Sequence, residues 1–347
     1  MKIHSNTSRR EVIRKLALLP FLGNALDVTD YPQDTNRKKH QTTLIPVMIT
    51  PLRQDSSIDW KTFDRLIEFY DAAGAKGYFA NCLSSEMYAL TPEERLAVTA
   101  RVIKRVSRNK PVVSTGSFGD TLHKKAEFIK QVNDLGTDAV ILITSHLAEK
   151  FESDETLMSN LEKLLQLTGS IPLGTYECPT PYKRVLTPEV VSFMVESKRF
   201  SYHKDTSEDL QNIISKLKLA TKSKLRLYNA HTASAVPSLQ AGGAGLSPIS
   251  ANFYPEILAW VCQYASDPGQ KENLNWIQSE LAATEPLISK SYPLSSKYFL
   301  QKRGVPIELV TRLKRNPLNT ELRNTLDSVH DRFLGWCDRL SISPVRG

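Results

Sequence analysis

Phe200-Ser201-Tyr202-His203-Lys204-Asp205-Thr206-Ser207 is a short apolar-aromatic run that closes on a lysine and passes at Ser207 into an amphipathic pattern reaching Leu219. The run reads as a buried strand and its continuation as the helix that follows it. A lone ammonium in such a strand is expensive, so Lys204 must find a counter-charge or lose its proton. A deprotonated lysine is a nucleophile able to condense with a ketone. The plain alternative is a lysine that leaves the strand end for solvent.

The same strand-then-helix unit repeats outward in both directions. From residue 44 the predicted strands are 44–49, 77–82, 112–117, 138–144, 172–177, 199–204, 225–230 and 244–249. Amphipathic stretches lie between them at Trp60–Ala73, Pro92–Val106, Leu122–Leu135, Glu155–Leu167 and Ser207–Leu219. Thr91 followed by Pro92 is a helix start. Eight strands alternating with helices predict an α/β fold, a (β/α)8 TIM barrel over residues 42–265. An open doubly wound sheet is the competitor, but no strand carries the Gly-rich turn of a dinucleotide fold. Residues 266–347 show no strand pattern. They predict a C-terminal helical extension packed through Trp276, Leu287, Phe299, Leu309, Leu326, Phe333 and Trp336.

Composition narrows the class. Of the 347 residues 41% are apolar and 24% charged, which suits a globular protein with a sizeable core. No run approaches the roughly 20 apolar residues of a membrane span. The net charge is +8, yet eight Lys/Arg against four Asp/Glu in the first 40 residues supply half of it. The remaining basic residues are interspersed with acids, which argues against a nucleic-acid partner. Cys82, Cys178, Cys262 and Cys337 are far apart and show neither a metal-ligand spacing nor a disulfide framework.

Residues 1–26 read as a separate segment. Ser8-Arg9-Arg10-Glu11-Val12-Ile13-Arg14-Lys15 precedes the apolar Leu16-Ala17-Leu18-Leu19-Pro20-Phe21-Leu22 and then the small residues near Ala25. That order is the layout of an export signal, and the paired arginines resemble a twin-arginine signal. The expectation is export to the periplasm. The alternative is a cytoplasmic protein with an N-terminal amphipathic helix or arm. Residues 27–41, rich in Asp, Asn, Lys and Arg, read as a linker.

In a (β/α)8 barrel the chemistry collects where strands end. That rule gathers Ser84-Ser85-Glu86, Thr144-Ser145-His146, Tyr176-Glu177-Cys178-Pro179, Lys204 and Asn229-Ala230-His231-Thr232 at one mouth. Tyrosine and lysine on adjacent strands, with paired hydroxyls opposite, make a coherent Schiff-base site.

These motifs resemble those of the dihydrodipicolinate synthase/N-acetylneuraminate lyase family, the pyruvate-type class I aldolases and lyases. Asn81-Cys82-Leu83-Ser84-Ser85-Glu86 resembles the family's Gly-Thr-Thr-Gly-Glu loop, and Tyr176-Glu177-Cys178-Pro179 its Tyr-x-x-Pro motif. His203-Lys204-Asp205-Thr206-Ser207 is similar to its Schiff-base segment, 28 residues after the tyrosine. Gly242-Gly243-Ala244-Gly245-Leu246-Ser247 is similar to its Gly-rich turn.

The resemblance implies Lys204 as the imine-forming amine and Tyr176 as the proton shuttle. Ser84, with the backbone around Ser85, would cradle the substrate carboxylate, and the Ser247 carbonyl would lie near the reacting centre. His231 at the mouth is read as substrate-binding, and His146 or His231 is the candidate for a proton relay in place of family hydroxyls missing here. No metal or organic cofactor is implied. The partners expected are a 2-oxo acid such as pyruvate and an aldehyde, and a homo-oligomer, dimer or tetramer.

The departures are also plain. Leu83 stands where the synthase branch has a second relay hydroxyl, Leu147 where it borrows a neighbour's tyrosine, and Pro181 where an arginine binds the aldehyde substrate's carboxylate. Tyr182, Lys183 and Arg184 are the candidates to replace that arginine. The expected function is therefore a Schiff-base lyase or aldolase. The alternatives are 4-hydroxy-tetrahydrodipicolinate synthase or a 2-oxo sugar acid dehydratase on the same scaffold, and a non-catalytic 2-oxo acid binding protein.

Overall fold

The computed structural model describes residues 42–314 and 317–347. The export signal read over 1–26 and the linker read over 27–41 lie outside the described residues. The described residues belong to one unit.

Eight parallel strands form one sheet in the order β1-β8-β7-β6-β5-β4-β3-β2. They are β1 (Thr43–Leu44), β2 (Tyr78–Phe79), β3 (Val112–Thr115), β4 (Ala139–Ile143), β5 (Leu173–Tyr176), β6 (Phe200–Asp205), β7 (Arg226–Asn229) and β8 (Gly245–Leu246). The two ends of that order meet. Phe79 N–H donates to Pro46 O at 3.0 Å and Met48 N–H to Phe79 O at 3.1 Å, with Val47 opposite Phe79. The fold is the expected (β/α)8 barrel. The strands predicted over 44–49 and 244–249 are shorter than read. Pro46 follows β1 and Pro248 follows β8, and neither has an N–H to give to a ladder.

Helices alternate with the strands: α1 (Trp60–Ala72), α2 (Pro92–Arg105), α3 (Leu122–Asp134), α4 (Asp154–Leu167), α5 (Pro188–Glu196), α6 (Leu210–Ala220), α7 (Ala235–Gln240) and α8 (Pro255–Tyr264). Their starts are written locally. Asp59 accepts from the N–H groups of Lys61 and Thr62, Asp209 from those of Gln211 and Asn212, and Thr91 with Glu94 forms a capping box. Three further helices follow, α9 (Lys271–Ile288), α10 (Leu294–Lys302) and α11 (Thr320–Leu340). Leu281, Phe299, Leu326, Phe333 and Trp336 from these helices share one apolar core with Leu44, Leu246 and Phe253 of the barrel. Trp276 and Leu287 pack against that core half-buried.

Inside the barrel large aromatic rings take the space, and two glycines make room for them. A Cβ on Gly174 would lie 2.5 Å from Ile141 Cδ1 and 2.9 Å from Tyr202 Cβ. One on Gly245 would lie 2.9 Å from Tyr228 Cε1 and 1.9 Å from Thr43 O. Tyr202 and Tyr228 stack with ring centroids 4.7 Å apart, and Phe79 meets Tyr176 and Tyr202 edge-on at 5.8 and 6.0 Å. This aromatic floor lies beneath the strand ends.

Candidate active site

Tyr176 and Lys204 are direct partners across the β5–β6 ladder. Both side chains face the barrel interior. Lys204 Nζ lies 4.6 Å from the centroid of the Tyr176 ring and 5.7 Å from that of Phe79. Lys204 is 3% exposed, and among the described residues no carboxylate lies within ion-pairing distance of it; the neighbouring Glu177 and Asp205 pair with Lys216 instead. Burial therefore lowers its pKa to about 8, against a smaller opposing pull from Cys82 and Cys178. At neutral pH roughly a tenth of the amine is uncharged, enough to act as a nucleophile. Burial moves Tyr176 the other way, well above the ordinary phenol value, with Cys178 and Cys82 adding to the shift. Tyr176 thus keeps its proton until a reaction takes it. The Cys178 thiol is pushed up to about 11 by burial and stays neutral beside them.

The loop after β2 turns through a 3-10 segment, Leu83–Ser85. Its two serines part company. Ser85 Oγ donates toward Met48 O at 2.7 Å and Ala80 O at 3.1 Å and accepts from Cys82 N–H at 3.1 Å. That hydroxyl holds the loop to the strand ends. The Ser84 side chain instead meets the phenol of Tyr292. Glu86, which closes the turn with φ 60°, accepts from Thr311 Oγ1 at 2.8 Å and Arg312 N–H at 2.7 Å, and pairs with buried Lys297 at 3.3 Å. The loop is therefore anchored from the C-terminal helices.

The other sequence candidates are placed as follows. Ser247 Oγ donates to Ile45 O at 2.8 Å and accepts from Tyr202 Oη at 3.2 Å. His231 Nε2 lies 3.4 Å from Glu285, whose carboxylate also accepts the N–H groups of Thr232 and Ala233. Its observed partner is thus a helix of the C-terminal extension. His146 Nδ1 lies 2.8 Å from Ser117 O and its Nε2 2.8 Å from Tyr88 Oη. Burial lowers its pKa, so the ring is neutral, with its proton on Nδ1 facing that carbonyl. Tyr88 Oη also lies 2.7 Å from Thr180 O, so its single proton serves one neighbour at a time.

The three candidates for the missing arginine are occupied elsewhere. Tyr182 donates to Ala148 O, Lys183 pairs with Glu208 at 2.7 Å, and Arg184 binds Asp154 together with the carbonyls of Glu149 and Glu152. These contacts shape the loop around Pro181.

Behind β5 and β6 lies a buried group that the sequence reading missed. Glu177, His203 and Asp205 point outward from β5 and β6, alternating with Tyr176 and Lys204. Their ligand atoms lie within 4.8 Å of one another, which is metal-site spacing. The cation between the carboxylates is Lys216 of α6, which binds Glu177 Oε1 and lies 2.7 Å from Asp205 Oδ2. His203 Nδ1 lies 2.8 Å from Thr175 Oγ1. Burial opposes a charge on His203, but Asp205 and Glu177 outweigh it and raise its pKa. Burial likewise opposes ionisation of Asp205, and His203 with Lys216 overcomes it and lowers its pKa. Glu177 also accepts the N–H groups of Leu186 and Thr206. The residues next to Tyr176 and Lys204 are thereby tied together. The signal was present: Lys216 stands three residues after Ile213 and one before Leu217, on the buried face of α6.

The sequence model of the dihydrodipicolinate synthetase family matches residues 40–331. The chain belongs to that family. This makes it an enzyme of the class I lyase and aldolase kind. It is 25% identical over 264 residues to the 4-hydroxy-tetrahydrodipicolinate synthase of Laribacter hongkongensis, covering 76% of this chain and 89% of that protein. A Bacillus velezensis enzyme of the same name is 25% identical over 283 residues, covering 81% and 96%. Among solved structures, the pyruvate complex of the Acinetobacter baumannii dihydrodipicolinate synthase superposes with a TM-score of 0.74 at 22% identity, covering 87% of this chain and all of that one. A prophage protein of the family from E. coli K12, also with pyruvate, gives 0.74 at 21% identity, covering 87% and 99%.

Proposed function

We propose that the protein forms a Schiff base between Lys204 and pyruvate or a related 2-oxo acid, and makes or breaks a carbon–carbon bond to an aldehyde. The observation that carries this reading is a buried lysine with a depressed pKa beside Tyr176, at the strand ends of a barrel of this family.

The uncharged amine adds to the keto carbon, and Tyr176 moves a proton from nitrogen to the former carbonyl oxygen. The C–O bond then breaks. Tyr176 gives its proton to the departing hydroxide, which leaves as water, and the lysine nitrogen becomes an iminium. The phenolate left behind is a strong base because its surroundings are apolar. It takes a proton from the carbon next to the iminium, which restores the phenol and leaves a neutral enamine. That enamine attacks the aldehyde carbon while Tyr176 gives its proton to the oxygen that becomes the hydroxyl. Water then adds to the iminium, the phenolate taking its proton, to free the product ketone and the amine; the same steps in reverse release an aldehyde.

The acceptor side differs from what a synthase with a carboxylate-binding arginine needs, because Pro181 lacks the charge and Arg184 is bound to Asp154. This favours an aldehyde without a carboxylate at that position. Export, on the pattern of residues 1–26, and assembly into a dimer or tetramer, on family likeness, belong to the same proposal.

The test is borohydride reduction in the presence of pyruvate followed by peptide mass analysis. The expected result is one reduced pyruvate unit on the peptide carrying Lys204 and none in Lys204→Met. An unmodified wild-type peptide across a panel of 2-oxo acids would sink the proposal.

A further inference from the structure

The loop's resemblance gives the carboxylate cradle the Ser84 hydroxyl and the backbone around Ser85, and the Ser85 hydroxyl is spent on Met48 O and Ala80 O. Ser84 is therefore the one serine side chain of this loop left to meet a carboxylate. The chain between α9 and α10 brings another hydroxyl to the same place. Tyr292 is half-buried there, its ring 6.4 Å from that of Phe253 and its phenol against the Ser84 side chain.

Asn252, just past β8, holds that phenol. Its Nδ2 donates to Tyr292 Oη at 2.9 Å and to Val47 O at 2.9 Å, while its Oδ1 accepts from Tyr70. Tyr292 Oη accepts from Asn252, and the Ser84 contact lowers its pKa as a donor to that oxygen does, so the phenol's own proton is left for another acceptor. Burial keeps the phenol protonated and so a donor. Tyr292 is also near enough to Tyr176 to contribute, as the smallest of several causes, to the rise of its pKa.

We infer that Tyr292 is a substrate-binding residue: with Ser84 it donates a hydrogen bond to the carboxylate of the 2-oxo acid, so that the C-terminal helices complete the cradle. The inference rests on the Schiff-base reading above and names the group that selects the acid. A neutral phenol suits the task. It recognises an anion without placing a positive charge near Lys204, whose amine must stay partly unprotonated.

The experiment uses the full-length protein and two probes with the same ketone, pyruvate and its neutral amide, pyruvamide. The reading is the probe concentration that gives half-maximal borohydride trapping at Lys204. Tyr292→Phe should need at least about tenfold more pyruvate, the loss expected for a hydrogen bond to a charged group. Its pyruvamide requirement should rise much less, because the amide oxygen accepts only a weaker, uncharged hydrogen bond, and trapping of that probe also shows the variant to be folded. Ser84→Ala, the second variant, should show the same pyruvate-selective loss, and the double variant less than the product of the two. If Tyr292→Phe and wild type need the same pyruvate concentration, or if both probes weaken equally, the inference is overturned while the Schiff-base reading stands. If wild type itself traps neither probe, both fall.

Discussion

In the proposed reaction a single lysine carries the chemistry, and its environment sets the pH at which it would work. Lys204 is protonated below about 8 and free above it, because burial favours the uncharged amine. Only the free amine attacks. The rate of imine formation at low pyruvate, followed by trapping, should therefore rise about tenfold per pH unit below 7.5 and level off above about 8.5. A profile still climbing steeply at pH 10 would mean an ordinary, solvated lysine. The aromatic surroundings explain why no counter-charge is needed: Phe79 and Tyr176 exclude water but supply no anion.

At the scale of elements, β5 and β6 are held together on both faces. Inside, Tyr176 and Lys204 sit side by side. Outside, Glu177, His203 and Asp205 close around Lys216 of α6. Such a cluster is stable while complete and costly when one member is removed, since two buried carboxylates then face one another. Lys216→Met should destabilise the fold by about 3–5 kcal/mol, read as a lower urea midpoint. An unchanged midpoint would show that Lys216 contributes nothing there. Glu177 adjoins Tyr176 and Asp205 adjoins Lys204, so the cluster also secures the spacing of these two residues along their strands.

Across the whole molecule, the C-terminal helices are continuous with the barrel. Trp336, Phe333 and Phe299 share a core with Leu44, Leu246 and Phe253, and Lys297 reaches Glu86 in the loop that carries Ser84. Trp336→Ala should cost about 3–5 kcal/mol and lower one common melting transition. Calorimetry checks this. A separate early transition, with the barrel melting as in wild type, would show the extension to be an independent unit.

The alternation of strands and helices, the helix caps, and the positions of Tyr176 and Lys204 were legible in the sequence because they depend on local pattern and on fixed spacing along the chain. Strand limits were less so: a run of apolar residues does not reveal where Pro46 ends regular pairing. The clamp around Lys216 and the arrival of Tyr292 beside Ser84 were decided by tertiary structure alone. Both join residues far apart in the chain, and which distant side chain meets which depends on how the barrel closes and where the last helices pack.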